Sequence, residues 1–544
     1  MKSAIGLIAA SWLITAAAQA AALEVMPYRE RVWAGEPVEI MLKVKVPAEG
    51  LHVGWGLNYG QAAVLQGVAP VRGGEVVVKF NAPEVRTRIM ATFAAGLYRV
   101  GEPLAVVDGP IHVFPRGTLD GLLELFRART VGLVDPGGQL KGVCERIPLL
   151  WAALQSPAEV NRFDGPAILL APNTTLSLPP GAAVSGLSPL EHALREKVRA
   201  GTTLVCFYQP KRPLKLPTLE RSFPRGEFRK IRNLCPRHPA LRSLTPADLG
   251  ALTRAMPTPT NIIPWPSGGN YSVVLGVEGL AEPAAFMLEL RLGTGRILMC
   301  QLPIVEQFTS EPLAELLWAD ILRCSLTEPP ELKAAALSFP EETPLVKLLA
   351  HIGLPVKGPT DDKAIMLGDA AALVEAEADE FGAFLKRGGT AVLFLAGMEE
   401  VRHLNEHLHK RWGSDVRAEI PELALVTFPG QEEVAADSPE HLLLAGIRPE
   451  DVGTLGLWSA GGQWSTGRIR AVRDTEHFQS LIGDGLLAKY ERDDARLIFW
   501  QVPLDAVKDE GAFRRVLNSL LTNIGVMLEP PTKAVADLNK EEGA

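Results

Sequence analysis

Two segments of the chain carry the same motifs in the same order, and this repetition constrains the fold more than any other feature of the sequence. The segment CPRHPALRSLTPADLGAL, which starts at Cys235, aligns with SPEHLLLAGIRPEDVGTL, which starts at Ser438. At one constant offset the alignment pairs two histidines, two prolines and two aspartates: His238 with His441, Pro246 with Pro449, and Asp248 with Asp451. Farther along, RILMCQLP aligns with RLIFWQVP, so that Gln301 corresponds to Gln501. Self-similarity of this kind indicates a duplicated structural unit.

Each copy lies within a run of alternating apolar strands and amphipathic helices. The strand-like segments are TVGLVDP, AILLAP, TTLVCFYQ and RILMCQLP in the first run, and KAAALSFP, KAIMLGD, TAVLFLAG and RLIFWQVP in the second. Segments such as LKGVCERIPLLWAAL, SPLEHALREKVRAG and TPLVKLLAHIGL have the spacing of helices. This alternation predicts a largely parallel sheet with helices on both faces. We therefore predict two tandem α/β domains at 117–328 and 329–529, followed by a polar tail at 530–544.

The residues before the first α/β run have a different pattern. Segments such as PVEIMLKVKVP, EVVVKFNAP, RIMATFAAGLY and GPIHVFP are apolar, rich in β-branched residues and bounded by Gly, Pro or Asn. Such segments are typical of short strands joined by turns. Residues 21–116 are therefore predicted to form an all-β sandwich of the immunoglobulin-like (Ig-like) type.

The N-terminus has the pattern of a secretory signal peptide. Lys2 precedes the apolar run AIGLIAASWLITAAA, and Ala18-Gln19-Ala20 provides a cleavage site with small residues. The run is short for a transmembrane helix, which needs about 20 residues. We expect residues 1–20 to be removed and the mature protein to be secreted or periplasmic in a bacterium, with no stable membrane span.

Charge and cysteine content exclude two classes of protein. The formal net charge of −8 argues against a dedicated nucleic-acid binder. The five cysteines are odd in number and lack CxxC spacing, so they do not form a disulfide framework. Cys206 and Cys300 lie within apolar strand-like segments and are expected to be buried, although a single disulfide remains an alternative in an oxidising compartment.

The repeated unit resembles the class I glutamine amidotransferase-like, flavodoxin-like domain. The histidine segment followed by TPADL or RPEDV, and the closing strand that ends in Gln-x-Pro, are similar to versions appended to secreted bacterial glycoside hydrolases of the β-galactosidase type. The resemblance implies a three-layer flavodoxin-like fold and an association with carbohydrate. No glycosidase barrel is recognisable in the sequence.

The residues that an active amidotransferase requires are missing from both copies. Such an enzyme has a nucleophilic Cys on a sharp strand-to-helix turn, typically GxCxG, together with a His-x-Glu pair. Cys206 lies inside its strand without flanking glycines, and the second copy has Leu395-Ala396-Gly397 at that place. No GxSxG elbow of a serine hydrolase occurs either. The sequence therefore predicts no catalytic residue, and it implies no cofactor.

One motif formally matches a zinc site. His403-Leu404-Asn405-Glu406-His407 has the HxxEH pattern, which on a helix places both histidines on one face. However, Val401, Leu404, Leu408 and Trp412 form an apolar stripe at helical spacing, which explains the helix without a metal. We therefore predict no metal site.

Three groups of residues are candidates for ligand binding. Residues 211–232 contain eight basic and two acidic side chains, so Arg229, Lys230 and Arg232 can bind an anionic ligand; a solvated loop is the alternative. Trp265 and Trp458 lie in Gly-rich segments, where an indole can stack on a sugar or close the end of a sheet. Gln301 and Gln501 end buried strands at the edge where open α/β sheets bind ligands.

The sequence as a whole favours an exported, non-catalytic binding or assembly protein that is associated with carbohydrate. Its expected partner is a glycan or another protein of the cell envelope. The alternative is a glycan-acting hydrolase whose carboxylate pair is defined only by distances in space.

Overall fold

The computed structural model describes residues 22–529 with gaps at 48, 100–101, 118, 128, 148, 175–187, 210–225, 227, 229, 258, 281, 340–342, 355–364, 372–377, 396–401, 403–423, 428–435, 456–464, 469–476, 484 and 503–508. The chain forms two compact units, of which the first comprises Met1–Glu124 with Gln307–Leu316 and the second Leu125–Glu306 with Leu317–Ala544. The sheets of both α/β repeats belong to the second unit.

The first unit contains two sheets, as the strand-rich sequence predicts. Its strands are β1 (Leu23–Val25), β2 (Arg31–Trp33), β3 (Pro37–Val44), β4 (Leu51–Tyr59), β5 (Ala62–Pro70), β6 (Glu75–Asn81), β7 (Ile89–Arg99) and β8 (Glu102–Phe114). One sheet has the order β1-β3-β6 and the other β2-β8-β7-β4-β5. All pairs are antiparallel except β2 with β8.

Alternation of apolar and polar residues explains why these segments form half-buried strands. Along β3, Val38, Ile40, Leu42 and Val44 are buried while the residues between them are exposed. The inward side chains of both sheets form one hydrophobic core. The segment Gln307–Leu316 is tied to this unit because Nε of Arg31 donates to Oε1 of Glu311 at 2.9 Å, with both side chains buried.

The first α/β repeat is built on a sheet of nine strands. They are β9 (Val131–Val134), β10 (Trp151–Ala153), β11 (Ala167–Leu170), β12 (Thr203–Cys206), β13 (Ile231–Asn233), β14 (Ile263–Pro264), β15 (Tyr271–Val277), β16 (Ala284–Leu292) and β17 (Gly295–Cys300). The main path is β10-β9-β11-β12-β17-β16-β15-β13, and β14 pairs with β16. The strands from β10 to β17 along this path are parallel and those beyond β17 are antiparallel.

The helices of this half of the chain fall between or after the strands. They are α1 (Asp120–Phe126), α2 (Gln139–Arg146), α3 (Pro157–Arg162), α4 (Pro189–Arg199), α5 (Pro246–Ala255) and α6 (Pro312–Leu326). Several start at a Ser or Thr followed by Pro, and Ser156, Ser188 and Thr245 each form a capping box with an acidic residue three positions later.

The second repeat has the same order of elements on a smaller sheet. Its strands are β18 (Ala335–Ser338), β19 (Ile365–Asp369), β20 (Thr390–Phe394), β21 (Ala424–Thr427), β22 (Ser465–Arg468), β23 (Phe478–Ile482), β24 (Leu487–Arg492) and β25 (Ala495–Trp500). Its helices are α7 (Pro344–His351), α8 (Ala378–Lys386), α9 (Pro449–Thr454) and α10 (Glu510–Ile524). The sheet order β18-β19-β20-β25-β24-β23 matches β9-β11-β12-β17-β16-β15 of the first repeat, and β21 pairs with β22 separately.

The two repeats are joined by hydrogen bonds between buried groups. The side-chain amide of Asn270 donates to the carbonyl oxygen of Val526 at 2.8 Å, and its oxygen accepts from the backbone N–H of Leu528 at 2.7 Å. The amide of Asn518 donates to the carbonyl oxygen of Gly269 at 3.1 Å. Because these partners lie in different repeats, the repeats form one packed unit.

One detail of the sequence interpretation is wrong. LKGVCERIPLLWAAL is not one helix, since α2 ends at Arg146 and Trp151–Ala153 forms β10. Pro148 disfavours the helical conformation for the residue before it, which explains the break. In α5 the N-cap is Thr245, and Asp248 is the third residue of the helix.

All five cysteines are buried and free. Among the described helices, none combines the length and the apolar character needed to cross a bilayer.

Candidate functional site

Four buried, uncharged polar side chains meet at the carboxyl ends of the parallel strands in the first repeat. Thr174 follows β11, Gln209 follows β12 and Gln301 follows β17, while Asn261 lies just before β14. Each is less than a tenth exposed. We call these four residues the amide cluster. They lie together because parallel strands deliver their carboxyl ends to one edge of the sheet, where open α/β sheets bind ligands.

Gln209 is the centre of the amide cluster. Its Nε2 donates to the carbonyl oxygens of Ala171 at 2.7 Å and Phe207 at 2.8 Å, while the hydroxyl of Thr174 donates to the same Ala171 oxygen at 2.7 Å. These bonds connect the ends of β11 and β12. The backbone of the cluster is therefore held in place by its own side chains.

Gln301 satisfies only one side of its amide. Its Oε1 accepts from the backbone N–H of Gln209 at 3.0 Å, but its Nε2 has no hydrogen-bond partner among the described residues. The residue is 0% exposed. A buried donor without a partner costs about 1–3 kcal/mol, so this group favours a ligand atom that accepts a hydrogen bond.

Tyr208 and Thr260 lie next to the amide cluster on the solvent side. The Tyr208 hydroxyl is 2.9 Å from Oγ1 of Thr260, and it accepts from the Thr260 backbone N–H at 3.2 Å. Asn173 has a left-handed backbone, with φ of 56°, and its N–H donates to the Tyr208 carbonyl oxygen at 3.0 Å. Polar groups thus continue from the buried cluster to the surface.

The equivalent edge of the second repeat has different chemistry. Leu395 follows β20 at the position that Tyr208 has in the first repeat. Its φ is 53°, and the residue is 47% exposed. A left-handed leucine is strained, and such strain marks a turn fixed by its surroundings. Gln501 is buried, and its backbone N–H donates to Leu486 as that of Gln301 donates to Phe286. The second copy therefore keeps the strand-end glutamine.

None of the five thiols is suited to be a nucleophile. Burial raises the pKa of Cys144, Cys235, Cys300 and Cys324 to about 12, and it raises that of Cys206 as well. The thiolate is the reactive form, so these residues are inert at neutral pH.

A second polar cluster surrounds His238. Its Nδ1 accepts from the backbone N–H of Ala240 at 3.2 Å, and its Nε2 lies 3.2 Å from Oε2 of Glu289. Arg296 contacts the same carboxylate at 3.4 Å. Burial acts to raise the pKa of Glu289, but the hydrogen bond from His238 and the charges of Arg296 and Arg291 outweigh it and lower the pKa to about 2. Glu289 is therefore a buried carboxylate anion.

The ligand atoms of His238, Glu289 and Cys324 lie within 4.8 Å of one another, but their chemistry does not fit a metal ion. Because Nδ1 of His238 accepts a hydrogen bond, its ring proton is on Nε2, the atom that would have to bind the metal. Arg296 already supplies the positive charge beside Glu289, and the thiol of Cys324 is protonated.

The second repeat keeps the histidine and changes its neighbours. Nδ1 of His441 accepts from the backbone N–H of Leu443 at 3.1 Å. The register of β24 with β25 places Lys489 at the position of Glu289 and Glu491 at that of Arg291. Glu491 pairs there with Arg496 at 2.9 Å. The retained role of the histidine is therefore to cap the turn.

The other predicted site residues are dispersed. Trp265 is buried. Tyr271 packs against it edge to face, and the guanidinium of Arg448 lies 5.6 Å from the centre of its ring, so the indole has no free face on which a sugar could stack. Arg232 pairs with Glu278 at 3.1 Å and also with Glu450. Lys230 is exposed. Arg229, Trp458 and the HxxEH motif lie outside the described residues.

Sequence reasoning identified Gln301 but missed the other members of the amide cluster. Gln209 and Thr174 could have been predicted from the sequence, because each lies within a few residues after a buried parallel strand. Asn261 had no such signal, because it comes from a connection between α5 and β14 whose path only the fold defines.

No protein-family model matches the chain, and neither does any curated protein. Similar solved structures include the CARDB domain of a Pyrococcus furiosus protein in complex with di-metal ions, at 15% identity over 18% of this chain and 93% of that chain, with a TM-score of 0.14. Murine CRIg matches at 15% over 17% of this chain and 98% of its own, with a TM-score of 0.13. Cwp6 from Clostridium difficile matches at 7% over 34% and 41%, with a TM-score of 0.15. Scores this low carry no argument.

Proposed function

We propose that the chain is an exported binding or assembly protein without catalytic activity of its own, and that the amide cluster contacts a neutral glycan. The observation that carries the proposal is the Gln301 amide, whose Nε2 is buried at the ligand edge of the sheet without a partner among the described residues. A sugar hydroxyl oxygen accepts the hydrogen bond that this donor lacks.

The chemistry of the amide cluster favours binding over catalysis. Amide and hydroxyl side chains can donate and accept hydrogen bonds, but they do not exchange protons at neutral pH. The buried thiols are protonated, and the positions after β12 and β20 carry Tyr208 and Leu395, neither of which is a cysteine or serine. A glycosidase needs two facing carboxyl groups, and the amide cluster contains none.

The finer fold assignment is part of the same proposal. The three-stranded sheet β1-β3-β6 and the five-stranded sheet β2-β8-β7-β4-β5 agree with an Ig-like sandwich. The five-stranded sheet, which contains β7 and β8, carries one extra strand. The parallel strands of the first repeat, numbered in chain order, run 2-1-3-4-5, which is the flavodoxin-like order. These two agreements support an Ig-like module followed by two degenerate amidotransferase-like domains, with glycan or an envelope protein as partner.

The direct test is glycan-array binding of the mature chain from Ala21. We expect binding to neutral oligosaccharides, weakened about tenfold in Gln301→Leu, which corresponds to one lost hydrogen bond. Tyr208→Phe removes a hydroxyl near the surface and should weaken binding without disturbing the core. Gln479→Leu is the matched control, because its amide bonds Ser438 away from this edge.

Two results would contradict the proposal. Equal binding by Gln301→Leu, Tyr208→Phe and wild type would separate the glycan from the amide cluster. Release of new reducing ends from a bound glycan would establish the alternative, a glycan-acting hydrolase.

A further inference from the structure

The outer face of the five-stranded sheet in the first unit is almost without charge. The register of β5, β4, β7 and β8 places their outward side chains in rows, of which one joins Val68, Gly54, Gly96 and Val106 and the next joins Gln66, Gly56, Ala94 and Asp108. Asp108 is the only acidic or basic residue in these two rows. Val68 is 71% exposed, Met90 64% and Val106 44%.

The outer face of the opposite sheet provides an internal comparison. There Lys79 pairs with Glu39, and Lys45 pairs with Glu24, both at 2.8 Å. Lys43 and Glu75 face each other on the same strands. A charged outer face is what a solvated antiparallel sheet normally has. The lack of charge on the five-stranded sheet is therefore a property of one face of this unit.

The face is flat as well as nearly uncharged. Glycine at positions 54, 56 and 96 leaves no side chain to project, and the ring of Tyr98 lies over Gly54 and Gly96 while stacking on His52. Flat sheet faces pack on one another at a spacing of about 10 Å. Exposed apolar side chains grouped on one face mark interaction sites, and Val68, Met90 and Val106 are such side chains here.

We propose that this face docks on the same face of a second copy of the chain, forming a two-fold symmetric dimer. An uncharged surface can meet its own copy without like-charge repulsion, whereas the charged opposite face cannot do so as readily. With eleven residues in β7 and four strands spaced about 4.8 Å apart, the face measures about 37 by 19 Å. Two such faces bury about 1,400 Å² in total, which lies within the range of stable interfaces.

The test is the oligomeric state of the mature chain by sedimentation velocity at micromolar concentration. We expect wild type to have twice the mass of one chain. Val106→Lys should raise the dimer dissociation constant at least tenfold, and Thr92→Lys, on the same face, should act in the same direction. Val77→Lys is the matched control, because Val77 is a similarly exposed strand valine, 40% against 44%, on the opposite sheet.

Each remaining outcome overturns the proposal. One such outcome is that the wild type is a monomer at about 100 μM, a concentration at which even weak dimers form. The other is that the wild type is a dimer and that neither Val106→Lys nor Thr92→Lys weakens it. Loss of glycan binding in Val106→Lys with no dimer in wild type would assign the face to the glycan instead. The proposed function is tested separately, because Gln301→Leu should leave the dimer intact and Val106→Lys should leave glycan binding intact.

Discussion

At the scale of single residues, the two repeats show which interactions belong to the shared scaffold. His238 and His441 both cap a short turn through Nδ1, so this role persists in both copies. Their neighbours have diverged, because Glu289 in one copy is replaced by Lys489 in the other. The histidine common to both repeats therefore has a structural role, whereas of the amide cluster the second copy retains the strand-end glutamine, Gln501.

The buried anion at Glu289 predicts a loss of stability in acid. Its pKa lies near 2 in the folded protein against an ordinary value of 4.5, so its contribution is present at neutral pH and is lost as the pH falls from about 4.5 toward 2. Glu289→Gln should lower the free energy of unfolding by about 3 kcal/mol at pH 7 because it leaves Arg296 without its carboxylate. Urea denaturation between pH 7 and pH 3 measures both effects.

Glu491→Gln in the second repeat is the control for this prediction. Glu491 also pairs with an arginine, but its side chain is 37% exposed, so solvent screens the interaction and the loss should be smaller. Equal losses for the two variants would contradict a special role for the buried Glu289.

At the scale of elements, glycine fixes how the second repeat is closed. Gly353 follows α7 with φ of 97°, and its carbonyl oxygen accepts from the backbone N–H of Glu529. A methyl group at Gly353 would overlap the carbonyl oxygen of Glu529. The chain after α10 can therefore return beside α7 only if this position has no side chain.

Gly353→Ala should destabilise the protein by more than about 3 kcal/mol, since it combines a left-handed backbone with a collision against backbone. Gly250→Ala is the contrasting variant: Gly250 lies inside α5 with nothing within 4 Å of the added methyl group. There the gain in helix propensity should stabilise the protein by about 0.5–1 kcal/mol. Thermal unfolding of both variants gives the comparison, and similar shifts in the same direction would contradict the argument.

The sequence predicted most of these elements and few of their tertiary contacts. The buried strands TTLVCFYQ and TAVLFLAG and the helix at Pro189–Arg199 follow from apolar periodicity and from the Ser-Pro start. The antiparallel extension β16-β15-β13 did not, because apolar runs such as Tyr271–Val277 do not specify strand direction. In the amide cluster, Gln301 was predicted from its place at a strand end, whereas Asn261 depended on a long-range path.

At the scale of the whole molecule, the duplicated halves behave as one folded unit. The side chain of Asn270, in the first repeat, makes hydrogen bonds to the backbone of both Val526 and Leu528 in the second. The backbone N–H of Gly446, in the second repeat, donates to the carbonyl oxygen of Leu234 in the first. Partners this widely separated in sequence couple the stability of one repeat to that of the other. The repeats should therefore unfold together.

Asn270→Ala should uncouple them. The change leaves the buried N–H of Leu528 without its acceptor, which costs about 2–3 kcal/mol. Guanidinium denaturation followed by circular dichroism should show one transition for the two repeats in wild type, and an earlier or divided transition in the variant. Asn81→Ala, at an exposed end of β6, should leave the profile unchanged. Two separate repeat transitions in wild type would contradict the coupling.

The most direct test of the account is calorimetric titration of the mature protein with its best array glycan, followed by analysis of the recovered sugar. We predict saturable binding, an affinity about tenfold weaker in Gln301→Leu, and recovery of the glycan unchanged. Absence of binding to any neutral glycan, or recovery of a cleaved product, would contradict a non-catalytic glycan-binding site at the amide cluster.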